Sequence, residues 1–121
     1  MKIAVALFCL VAAGAAAAAD QFGAIAYSLD AQAYGLSIDR ASRAEAEKTA
    51  LSICSGRASD CQLVLWFRNG CGAMAIGEHG YGGGTGTTPA LADQYAMKSC
   101  AIYGGANCQV TRRVCTGNAK Q

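Results

Sequence analysis

Two stretches of this chain can be written one above the other. Phe22-Gly23-Ala24-Ile25-Ala26-Tyr27 lies over Cys71-Gly72-Ala73-Met74-Ala75-Ile76, and Tyr34-Gly35 over Tyr81-Gly82. Ala46, Ala50 and Cys54 lie over Ala92, Ala96 and Cys100, and Cys61-Gln62-Leu63-Val64 over Cys108-Gln109-Val110-Thr111. The offset stays between 46 and 49 residues, falling to 44 where Cys71 is set against Cys115. Such a period marks a supersecondary unit used twice, here units of about 22–70 and 71–115.

Each unit reads as strand, strand, helix, strand. In the first, Gly23 to Ser28 and Ala33 to Ile38 are β-prone runs on either side of a turn at Asp30. Ser42-Arg43-Ala44-Glu45 is a capping box, in which the serine hydroxyl accepts from the third helical N–H. Behind it Ala46, Ala50, Ile53 and Cys54 recur at helical spacing as an inner face. In the second unit Thr88 is the N-cap with Pro89 in the first helical turn, and Ala92, Ala96, Ser99 and Cys100 form the matching face. The nearly unbroken apolar run of Cys61 to Arg68 reads as the central buried strand, with Trp66 in the core. Asn69-Gly70 reads as a two-residue hairpin loop joining the units. The fold class that follows is α+β: an antiparallel-rich sheet with two helices that pack close to it through alanine.

The cysteines supply the staples. Met1 to Ala19, with Lys2 before the apolar run Ile3 to Val11, reads as a secretory signal peptide, leaving a single domain over 20–121. Phe8 before Cys9 does not suit a lipoprotein acylation site, so the mature chain is expected to have no lipid or other stable membrane anchor. Six cysteines then remain, an even number in an exported chain, which is the mark of a disulfide framework. Many connectivities are open; the duplication favours Cys54–Cys61 and Cys100–Cys108 as clips from helix to following strand. Cys71–Cys115 is left as a bridge between equivalent positions that locks the halves together. A zinc site would want a short Cys-x-x-Cys pair, and neither spacing here has it; no metal or cofactor is expected.

Charge excludes more than it assigns. Without Lys2 the chain carries nine Lys or Arg against eight Asp or Glu, so nothing directs it to nucleic acid. The segment Gly77 to Pro89, GEHGYGGGTGTTP, resembles a phosphate loop in its glycine content. It lacks both G-x-G-x-x-G and G-K-[ST], and falls where unit one has a strand and a helix cap. It is read as a glycine-rich strand that a backbone or an aromatic ring, Tyr34 or Trp66, approaches closely, after a turn at Glu78-His79-Gly80.

Candidates for chemistry are few. His79 is the lone imidazole and sits in a turn; no thiol is left free for a Cys-His pair, and no nucleophile elbow is present. Glu45 and Glu47 point to different sides of one helix, and Asp60 and Glu78 have no spacing that implies a shared cleft. No catalytic residue is assigned. Arg68, Arg112 and Arg113 lie near the ends of equivalent strands and with Tyr81 and His79 make up a candidate interaction surface, while Tyr27, Tyr34, Tyr95 and Tyr103 suit either a surface or the core.

The motifs F-G-A-I-A-Y-S, A-Y-G, S-R-A-E-A-E and C-Q-L-V-L-W-F-R-N-G-C-G-A-M-A-I-G resemble a bacterial family of small exported proteins, the domain of unknown function numbered 4189, over roughly Phe22 to Cys115. Where such proteins often carry aromatic residues and another alanine-glutamate helix, this sequence has Gly83, Gly84 and Ala92-Asp93-Gln94. The resemblance implies no general activity and carries over no catalytic residue. The expected function is a non-enzymatic exported module, periplasmic or secreted, that binds a protein partner in the manner of an inhibitor, immunity protein or effector. The alternative is a small hydrolase or ligand-binding protein that uses Tyr81 to Thr88 with His79.

Overall fold

A computed structural model describes residues 18–120; the expected signal peptide falls almost wholly outside them. Eight elements follow in order: β1 (Phe22–Ser28), β2 (Ala33–Arg40), α1 (Arg43–Ser55), β3 (Gln62–Arg68), β4 (Cys71–Ile76), β5 (Tyr81–Gly86), α2 (Pro89–Tyr103) and β6 (Gln109–Cys115). The strand, strand, helix, strand unit occurs twice, as the sequence repeat requires. Its strands form two separate antiparallel sheets of three, ordered β2-β1-β3 and β5-β4-β6.

The alternation of small and large residues in β1 and β4 sets the layers. Successive strand residues point to opposite faces, so Ala24 and Ala26 meet Ala46, Ala50 and Cys54 of α1. Cys71, Ala73 and Ala75 likewise meet Ala92, Ala96 and Cys100 of α2. The other faces, Ile25 and Tyr27 of one sheet and Met74 of the other, join in a third core flanked by Val64, Leu65 and Val114. The order of layers is therefore helix, sheet, sheet, helix. Both helices start as the sequence prescribes: Ser42 Oγ accepts from Glu45 N at 3.1 Å, and Thr88 Oγ1 accepts from Leu91 N at 3.3 Å.

Several expectations need correction. β3 is an edge strand and β1 the central one; the centre goes to the alanine-rich strand because only small side chains let a helix seat on one face while a second sheet seats on the other. Trp66 accordingly lies at the rim, 38% exposed, stacked near Phe22 with the Arg43 guanidinium 4.4 Å from its ring centre. Phe67 takes the buried place, its ring covering Gly23 of β1 and Gly72 of β4, either of which a Cβ would drive into it. Ile53 is 43% exposed, since the inner face of α1 narrows to Ala46, Ala50 and Cys54.

Asn69-Gly70 is not a hairpin loop, because β3 and β4 belong to different sheets. Asn69 takes a left-handed φ of 49° and turns the chain through a corner from one sheet to the other. The three disulfides connect Cys54–Cys61, Cys71–Cys115 and Cys100–Cys108. Cys71 and Cys115, however, are cross-strand partners on β4 and β6. Their bridge lies inside the second unit and does not lock the halves together. Register shows why: Phe22 pairs with Arg68 in the first sheet as Cys71 pairs with Cys115 in the second, so the counterpart of Cys71 is Phe22 and that of Cys115 is Arg68.

Candidate binding surfaces

The glycine segment is the strand β5, and its glycines are spoken for. A Cβ on Gly82 or Gly84 would run into the backbone of α2 at Ser99-Cys100 and Ala92-Ala96, and one on Gly83 would press on Val64 and Leu65. The close neighbours are thus the helix backbone and two aliphatic side chains, not Tyr34 or Trp66. The glycines bring α2 down onto the sheet, which leaves no room there for a phosphate.

The sheet edges differ in how they are guarded. Exposed strand edges are usually blunted by charge or by bulges. β2 ends in Asp39 and Arg40, β3 in Arg68, and β6 carries Arg112 and Arg113; each of their pairings also has a register irregularity. β5 has no charged residue, pairs with β4 without irregularity, and has no neighbour on its other side among the described residues. Above it, α2 turns one flank outward past the edge. Leu91, 37% exposed, Tyr95, 50%, and Ile102, 74%, follow each other at i, i+4 and i+11 on the side where the helix crosses Gly86 and Gly84. A shallow open cleft of about 540 Å³ continues this surface between Trp66, Phe67 and Arg68 of β3 and Thr85 to Thr87.

The candidate residues do not form one patch. Arg68 lies 3.7 Å from Asp20. Arg112 spreads over the Tyr34 ring, 4.3 Å from its centre, whereas its neighbour Arg113 points to the opposite face and pairs with Asp93 of α2. His79 is exposed on the β4–β5 turn, where its backbone N–H donates to Gly104 O at 2.9 Å. Glu78 beside it accepts from Asn107 Nδ2 at 2.5 Å. Of the five residues, Tyr81 lines a cleft to which both units contribute.

That site was not legible in the sequence. It is a cleft of about 260 Å³ lined by Tyr27, Leu29, Asp30, Asp60, Gln62 and Tyr81, at the end of the sandwich where the two units meet. The Tyr27 and Tyr81 rings stand edge to face, 5.2 Å apart, and Tyr34 packs on the other side of Tyr27 at 4.8 Å, its hydroxyl donating to Thr111 Oγ1 at 3.0 Å. Ser28, fully buried, donates to Asp60 Oδ1 at 2.5 Å and accepts from Ala31 N, so Asp60 is held in place. Burial, then the neighbouring Tyr34 and Tyr81, raise the Tyr27 phenol above its ordinary value of 10.0. A raised folded-state value stabilises the fold below the unfolded value and loses that contribution as pH climbs past about 10. Alkaline titration followed by tyrosinate absorbance should therefore show one tyrosine ionising late, together with unfolding.

Among the described residues no group of three or more His, Cys, Asp or Glu is placed to hold a metal, and no helix is long and apolar enough to cross a membrane.

The molecule is thus a duplicated, disulfide-stapled α+β sandwich with one unguarded strand edge and one tyrosine-lined cleft. Residues 22–115 match the model of the family described as "Domain of unknown function (DUF4189)", and the chain belongs to that family. Curated relatives include Protein Rv1269c of Mycobacterium tuberculosis (strain ATCC 25618 / H37Rv) and Protein Mb1300c of Mycobacterium bovis, each 44% identical over 80 residues. That match covers 66% of this chain and spans 61% of the length of either relative. No solved structure matches the chain significantly.

Proposed function

We propose that the protein is a non-catalytic exported module that binds a protein partner by accepting an extended segment alongside β5. Three disulfides suit an oxidising, extracytoplasmic compartment, and the leader-like residues 1–19 support export. The observation that carries the docking mode is the contrast among the four edges: β5 alone lacks both charge and irregularity, and exposed Leu91, Tyr95 and Ile102 overhang it. Strand addition supplies main-chain hydrogen bonds, and apolar contacts beside the edge supply selectivity. An inhibitor, an immunity protein or a secreted effector would each work through such a surface. The alternative of a hydrolase built on His79 and the glycine strand loses its support, because His79 faces solvent and α2 fills the space over the glycines.

The test uses the mature protein immobilised and exposed to envelope and secreted fractions from the source cells. A retained protein is expected to slow amide hydrogen exchange across β5, and Tyr95→Lys should weaken its binding about tenfold or more. Because Tyr95 is half exposed, that variant should keep its stability within about 0.5 kcal/mol. A complex that leaves β5 exchange unchanged, or that Tyr95→Lys does not weaken, overturns the reading.

A further inference from the structure

The cleft at the end of the sandwich has a chemistry of its own, independent of the β5 edge. We propose that it binds an alkylammonium group, presented by a free amine or by a lysine side chain, between the Tyr81 ring and the Asp30 and Asp60 carboxylates.

Four features converge on a cation of this kind. The lining residues include two carboxylates and no basic side chain, so an anion is refused and a positive charge drawn in. The partly exposed Tyr81 ring, held edge to face against buried Tyr27, borders the same small volume, and a tyrosine face attracts an ammonium within about 6 Å of its centre. Leu29 beside them suits the aliphatic stem. Asp60 is prearranged: the hydroxyl of buried Ser28 occupies Oδ1, which leaves Oδ2 to accept from the ligand without loss of side-chain freedom on binding. Tyr27 gives an independent sign of a ligand. Only 1% of it is exposed, it lines the cleft, and its phenol has no protein hydrogen-bond partner among the described residues. A group entering the cleft would give that hydroxyl a partner.

A metal ion fits less well. Calcium takes about six to eight oxygens, and the cleft offers two carboxylates and the amide of Gln62. The parts also come from far apart in the chain: Asp30 from the β1–β2 turn, Asp60 from the α1–β3 connection and Tyr81 from the start of β5. The site exists only when both units are docked.

The experiment is a titration of the oxidised mature protein with n-butylammonium, followed by amide chemical shifts. Parallel titrations use Nα-acetyl-lysinamide, n-butanol and calcium. Saturable shifts at Asp30, Asp60 and Tyr81 are expected with both amines. Asp60→Asn, which keeps an oxygen for Ser28 to bond, should weaken binding about tenfold; Tyr81→Leu should weaken it severalfold, and Glu47→Gln on the remote face of α1 not at all. Tighter binding of the lysine analogue assigns a lysine side chain as the natural occupant, and tighter binding of butylammonium a free amine. The proposal is overturned if no saturable shift reaches the cleft, if n-butanol binds as well, if calcium binds there more tightly, or if Asp60→Asn changes nothing. Failure of the β5 docking test leaves it standing, since the shifts at Asp30 and Asp60 and the effect of Asp60→Asn are read outside β5.

Discussion

Replacing Gly84 by alanine should cost this protein about 3 kcal/mol or more, and Gly83→Ala only about 1 kcal/mol, although the two are neighbours on one strand. The methyl group at 84 would collide with the backbone of α2 at Ala92 and Ala96, and a helix backbone has no rotamer to turn aside. The methyl at 83 would meet Val64 Cγ1 at 2.8 Å and Leu65 Cδ2 at 2.9 Å, the far ends of side chains that can shift. Gly35→Ala belongs with Gly84, because it faces the α1 backbone at Ala50 and Cys54. Gly56→Ala should be nearly neutral, its nearest neighbour lying 3.4 Å away. Urea unfolding of the four variants tests the order; equal midpoints for 83 and 84 would refute the close seating of helix on sheet.

The second large effect concerns the disulfides. Removing Cys71–Cys115, which closes a span of 44 residues, should cost about 4 kcal/mol through the freed entropy of the unfolded chain. Removing Cys54–Cys61 or Cys100–Cys108, with spans of 7 and 8, should cost about 2.5 kcal/mol each. Since a small domain has some 5–15 kcal/mol in all, the first loss alone brings it near unfolding. Register explains why the long bridge sits where it does. β6 carries Thr111, Arg112 and Arg113 where β3 carries Val64, Leu65 and Trp66, so β6 has less apolar surface to hold it and the covalent link makes up the difference. Paired Cys→Ala variants compared by urea midpoint test this, and a short-span pair costing more than Cys71–Cys115 would contradict it.

Much of the fold was legible because its signals are local. Ser42 and Thr88 as caps, Ala46-Ala50-Cys54 and Ala92-Ala96-Cys100 as inner faces, and the hairpins around them follow from propensity and spacing. What sequence reasoning missed lay between elements. The run from Leu63 to Phe67 outweighs β1 in hydrophobicity, so a rule that puts the most apolar strand at the centre chose wrongly; in this sandwich the centre needs alanine and glycine. Asn69-Gly70 has hairpin chemistry, and only the partition into two sheets makes it a corner. Cys71 was set against Cys115 because both are cysteines, whereas the constant offset of β3 and β6 puts Arg68 opposite Cys115. Of the candidate surface, Tyr81 lines the end cleft, Arg68 lies in the other sheet from Arg112 and Arg113, and strand alternation turns those two to opposite faces. The partners of Tyr81, Asp30 and Asp60, come together only through tertiary packing, with no spacing to announce it.

The corner at Asn69-Gly70 bears on how this chain behaves when crowded. Each unit is a slab with a helix on one side and a dry face on the other, and the chain crosses between slabs once. The second slab of one molecule would fit the first slab of a neighbour through the same contacts it makes at home, which is the condition for domain exchange. All three disulfides lie within a slab, so oxidation does nothing to prevent it. The corner itself is clamped: Asn69 N donates to Gln21 O and Thr116 N to Gly70 O, each at 2.8 Å, and Gln21 N donates back to Asn69 Oδ1. Those few hydrogen bonds fix the path of the corner, and an exchange would have to open them.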